Sequence, residues 1–102
     1  MLTVLNRDYL KSEYSSSDEQ EISSKLTKII LNDNYISSVD AATFQGLAQC
    51  TQICLSYNQL HALEPRLFGG LTRLERLALD HNKLETLDSE QFEGLSSLVE
   101  LD

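Results

Sequence analysis

The sequence predicts an α/β solenoid, a chain wound into near-identical turns with a short parallel β-sheet along the concave side and short helical turns along the convex side. Three observations carry this expectation. Asn34, Asn58 and Asn82 stand 24 residues apart, and so do Phe44, Phe68 and Phe92. Each asparagine follows apolar residues spaced by three and then by two, as at Leu74, Leu77 and Leu79, a pattern that fits neither a helix nor a strand alone. An acid, then a phenylalanine, then a glycine–leucine pair recurs in the second half of each repeat, with Asp40, Glu64 and Asp88 as the acids. A fixed period of this length is the signature of stacked repeats, which bury their apolar faces on one another.

Taken in order, the chain opens with a polar, serine-rich segment over residues 1–25, where three basic and five acidic side chains leave a net charge of −2. Leu2, Leu5 and Tyr9 suit a short amphipathic helix lying over the first repeat. They also suit a degenerate repeat, because Leu2 and Leu5 stand 24 residues before Leu26 and Ile29. Residues 11–21 read as a disordered tail of low apolar content.

The repeats follow at residues 26–49, 50–73 and 74–97, with a truncated fourth at 98–102, "LVELD". Leu31, Leu55 and Leu79 are invariant among them, as are Gly46, Gly70 and Gly94, and Leu47, Leu71 and Leu95. The leucine two residues after Ile29, Ile53 or Leu77 gives strand periodicity, with both apolar residues inward and the residue between them outward. The asparagine then ends the strand. Its amide both donates and accepts, so it can bond main-chain groups of its own and the neighbouring turn that have left the ladder. Asp40 and Asp88 suit helix N-caps, Pro65 suits a first helical position, and Asp88 with Gln91 has capping-box spacing; the alternative is that these acids are simply solvated.

The tandem frame L-x-x-L-x-L-x-x-N-x-L with F-x-G-L after it, over residues 26–102, resembles the leucine-rich repeat family in its 24-residue form. The resemblance implies a right-handed coil and a non-enzymatic role in binding protein ligands on the concave face. It also implies an extracellular or cell-surface parent protein. Extracellular relatives usually carry cysteine-rich caps, which this sequence lacks, and "MLTVLNRDYLKSEY" is not a signal peptide as it stands; those features and free thiols favour the cytoplasm instead.

Composition narrows the partners. The net charge of −8 argues against nucleic acid and anionic membrane, both of which attract basic surfaces. Cys50 and Cys54 are four residues apart, roughly 13 Å if extended. A disulfide needs Cα atoms within about 7 Å, so both read as free thiols. Cys54 and His81 differ by three positions along the strand and by one repeat, too far apart for a nucleophile and its base. Asp33 and His81 share a column with Tyr57 between them, at a separation that suits no metal. No phosphate loop is present, and no cofactor is expected.

What remains is recognition. The expected partner-binding residues of the concave face are Lys28, Asp33, Tyr35, Tyr57, Arg76, Asp80, His81 and Lys83. The aromatics and Arg76 are anchor types, and the other charges set complementarity. The structural ladder is Asn34, Asn58 and Asn82 with Phe44, Phe68 and Phe92. Four short strands offer a face of a few hundred Å², below the roughly 800 Å² that each partner buries in a standard interface. Two other readings stand beside recognition: an assembly segment that stacks end to end through Leu98 and Leu101, and a piece of a larger receptor ectodomain.

Overall fold

A computed structural model describes residues 2–13, 26–64, 67–84 and 100–101. The main sheet has four parallel strands: β2 (Lys28–Ile30), β4 (Gln52–Cys54), β5 (Arg76–Ala78) and β6 (Glu100–Leu101). A second, two-stranded parallel sheet joins β1 (Val4–Leu5) to β3 (Ser38–Val39). One α-helix, α1 (Arg7–Glu13), occurs among the described residues.

The register of the main sheet follows the repeat. Lys28 pairs with Gln52, Gln52 with Arg76, and Arg76 with Glu100, each a step of 24 residues. The same main-chain bonds recur one repeat later. Leu31 N donates to Cys54 O at 2.9 Å, and Leu55 N to Ala78 O at 2.8 Å. Gln59 N donates to Ile36 O at 2.9 Å, and Lys83 N to Leu60 O at 2.8 Å. Parallel strands need a crossover of a dozen or more residues, and each 24-residue repeat supplies one.

The inward column Ile29, Ile53 and Leu77 is fully buried. Behind it lie Leu47 and Leu71, and the rings of Phe44 and Phe68, which stack with centroids 5.6 Å apart and planes 20° from parallel. Burying one such ring contributes about 1.5–3 kcal/mol through removal of apolar surface from water.

The segment after Asp40 is a run of turns over residues 41–46 rather than a helix. It is closed by Thr43 N and Thr43 Oγ1, both donating to Asp40 O, at 3.0 and 2.7 Å. The main-chain carbonyl of Asp40 is therefore the acceptor, and the short helical turn expected here does not form. Thr43 Oγ1 is drawn at the same time to Leu5 O, and Phe44, the next residue, points into the core. The equivalents expected at Pro65, Asp88 and Gln91 lie outside the described residues, as does Phe92.

The N-terminal segment joins the stack at an offset of 34 residues, not 24. Leu5 pairs with Val39, and Tyr35 N donates to Leu2 O at 3.0 Å, the bond that Gln59 N makes to Ile36 O. Leu2 and Leu5 thus stand before Ile36 and Val39 instead of before Leu26 and Ile29. Asn6 Oδ1 accepts from Tyr9 N at 2.9 Å and caps α1. Leu10, 34 residues before Phe44, is fully buried on the core. Arg7 and Thr43 tie the two layers: Arg7 Nη1 donates to Thr43 O at 2.9 Å, and Thr43 Oγ1 to Leu5 O at 3.2 Å. The expected tail over residues 11–21 falls largely outside the described residues.

Candidate functional site

The site grows out of the asparagine columns. Asn58 is buried and uses both ends of its amide. Its Nδ2 donates to Leu31 O in the preceding repeat at 3.0 Å, and to Leu55 O and Ser56 O in its own at 2.9 and 3.2 Å. Its Oδ1 accepts from Ile36 N at 3.2 Å. Asn82 repeats the set one repeat later: Nδ2 to Leu55 O, Leu79 O and Asp80 O, and Oδ1 from Leu60 N. Asn34 donates to Leu31 O and Asn32 O within its own repeat, at 3.2 and 3.3 Å.

To aim the amide inward, the residue before each asparagine turns into the left-handed region. Asp33, Tyr57 and His81 have φ of 60°, 59° and 58°. Glycine adopts this conformation freely, and asparagine, aspartate and histidine more often than other residues, so Tyr57 is the residue of the three that holds strained backbone. The strain has a consequence for the side chains. Three consecutive left-handed corners in register project their side chains as one row at the end of the sheet. Within that row the rings of Tyr57 and His81 stack with centroids 4.2 Å apart and planes 6° from parallel.

A second row runs beside the first. Asn32 Oδ1 accepts from Ser56 N at 3.1 Å, and Ser56 Oγ donates to Asp80 Oδ1 in a short hydrogen bond. That hydroxyl is the main reason the Asp80 carboxyl is held below its ordinary range; the nearby His81 and Arg76 add smaller contributions in the same direction. His81 Nε2 lies 3.6 Å from Asp80 Oδ2.

Asp33, Tyr35, Tyr57 and His81 line one open cavity of about 410 Å³, together with Asn34, Asn58 and Gln59. Tyr57 is 52% exposed and Tyr35 44%. Of the other expected contact residues, Asp80 touches His81 beside the cavity. Lys28 and Arg76 are exposed on the strands, in register with Gln52 between them. Lys83 is exposed beyond the turn, and none of these three cations lines the cavity.

Cys54, between Ile53 and Leu55 and so expected to face outward, is buried instead. It is 5% exposed, and Gln52 Nε2 donates to its Sγ at 3.2 Å. Cys50 is also buried, and burial pushes its thiol up to about 11. Both cysteines are free. No group of three or more metal-ligating side chains occurs among the described residues.

Sequence reasoning missed the left-handed row. Asp33 and His81 hinted at it, since aspartate and histidine tolerate that backbone, but tyrosine in the same column masks the signal.

Comparison with known proteins agrees with the geometry. The family model described as leucine rich repeat matches residues 24–84 and, in a second overlapping hit, 51–102. No curated protein matches the chain.

Proposed function

Because the chain belongs to the leucine-rich repeat family, whose repeats generally mediate protein–protein interaction, we propose that it is a non-enzymatic recognition module. Its parallel strands form the inner wall of a right-handed solenoid, and a protein partner docks on the concave face. The observation that carries this reading is the stacked pair of Tyr57 and His81, exposed beside Tyr35 around one open cavity. Exposed aromatic rings held rigid by stacking and by the strand ends lose little conformational freedom on binding, which is why tyrosine is enriched at interface anchors. Asp33 and Asp80 at the corners, with Lys28, Arg76 and Lys83 around them, set the charge pattern that orients the partner.

The face is small, so the complex falls in the weak class, below about 1,200 Å² of total buried surface, when these repeats act alone. The test is partner capture on the immobilised chain, with Tyr57→Ala and Arg76→Ala compared with wild type. Loss of the same protein with both variants supports the concave site; retention of every captured protein by both overturns it. The alternative of end-to-end assembly depends on Leu98 and the side chain of Leu101, which lie outside the described residues.

A further inference from the structure

We propose that the cavity beside Tyr57 receives an arginine side chain of the protein partner. The inference rests on the recognition reading above and specifies its chemistry.

Tyr57 stands between Asp33 and His81 in the left-handed row, because β4 lies between β2 and β5. His81 covers the ring face that looks toward the third repeat. The opposite face of the ring therefore looks toward the first repeat, where Asp33 and Tyr35 stand. These residues line the same open cavity, and Tyr57 remains half exposed in spite of the stack. The result is a slot with an aromatic face on one side and a carboxylate on the other.

A guanidinium matches both walls. It is planar and cationic, it stacks on aromatic faces, and it presents paired donors to a carboxylate. An ammonium is a compact, strongly hydrated charge that matches only the attraction. Among the described residues of the lining, Asp33 carries the formal charge, and Lys28, Arg76 and Lys83 lie outside it. No fixed cation among the described residues therefore competes for the slot from its lining. The net charge of −8 adds a long-range field that draws a basic partner to the molecule.

The probe is N-acetyl-argininamide, titrated into the full chain and followed by amide and ring NMR signals, with the uncharged N-acetyl-norleucinamide in parallel. The expected result is movement of the Asp33, Tyr35, Tyr57 and His81 signals, with the arginine compound binding about fivefold to tenfold more tightly. Asp33→Asn and Tyr57→Asn are both expected to reduce that preference at least about threefold. Both variants suit the left-handed backbone, so both keep the fold, and unchanged spectra away from the corner check this. Equal binding of the two compounds overturns the arginine assignment and leaves the recognition face standing. Absence of movement at the four residues, or an unchanged preference in both variants, also overturns the assignment. The recognition face is then decided by the capture comparison at Tyr57 and Arg76, which does not depend on the probe.

Discussion

The imidazole of His81 lies flat on the phenol ring of Tyr57, with ring centroids 4.2 Å apart and planes 6° from parallel. Two residues 24 apart meet this way because both occupy the same left-handed corner of consecutive repeats, at φ of 58° and 59°. The corner serves the asparagine that follows it, and the stacked pair is its outward product.

Tyr57→Asn separates the two effects. Asparagine relieves part of the roughly 1–2 kcal/mol that a left-handed corner costs an ordinary residue. The substitution also removes a ring contact of about 0.5–1.5 kcal/mol. Urea unfolding is therefore expected to show Tyr57→Asn within about 1 kcal/mol of wild type. Tyr57→Val loses the same contact and keeps a backbone that β-branched residues resist. It is expected to fall about 1–2 kcal/mol below Tyr57→Asn. Equal midpoints for the two variants would show that the corner is not strained.

The asparagine columns are expected to be unequal. Asn58→Ala strips hydrogen bonds from Ile36 N, Leu31 O, Leu55 O and Ser56 O in a buried setting. Each buried group left without a partner costs about 1–3 kcal/mol, so a loss of at least about 2 kcal/mol is expected. Asn34 is half-buried and donates within its own repeat, where water can replace it, so Asn34→Ala is expected to lose less than about 1 kcal/mol. Chemical denaturation of the two variants side by side checks the order.

Acid titration should report on the Ser56–Asp80 contact. The Asp80 carboxyl is held below its ordinary value of 3.8, chiefly by the Ser56 hydroxyl. A carboxyl with a depressed folded value adds stability that is present above its unfolded value and is lost as the pH falls through the folded one. In Ser56→Ala the Asp80 side-chain carboxyl carbon should titrate at a higher pH than in wild type, as seen by NMR. An unmoved midpoint would assign the shift to another neighbour.

The Cys50 thiol gives the opposite sign. Burial raises it from 9.0 to about 11, partly offset by hydrogen bonding at the Gln52 main chain. The native state thus favours the neutral thiol, and the associated stability is intact below pH 9.0 and declines as the pH rises toward about 11. Because the thiolate is the reactive form, iodoacetamide at neutral pH is expected to leave Cys50 unmodified in the native chain and to alkylate it in urea. Mass spectrometry of the peptide spanning Cys50 reads both states, and fast native labelling would place the thiol in water.

Much of the fold is legible in the letters, because translation by 24 residues is a property of order along the chain. The columns Leu31–Leu55–Leu79, Ile29–Ile53–Leu77 and Phe44–Phe68 show which residues face the core. The candidate contact residues of the sheet and its corners are legible only as positions. Lys28 and Arg76 follow from strand alternation, whereas nothing in the spelling distinguishes Tyr57, which lines the cavity, from Lys83, which does not.

The period, the inward columns and the amide that ends each strand depend on residue type and spacing alone, and so can be read without coordinates. Three features emerge on folding: the 34-residue offset of Leu2 and Leu5, the turns after Asp40 in place of a helix, and the stacking of Tyr57 on His81. Each arises from a contact between separate stretches of chain. The N-terminal segment takes the offset at which Leu5 and Leu10 bury on the existing core, and the turn after Asp40 presents Thr43, whose hydroxyl bonds Leu5 O of that segment. The rings meet because neighbouring strands, about 4.8 Å apart, carry the same backbone corner into register.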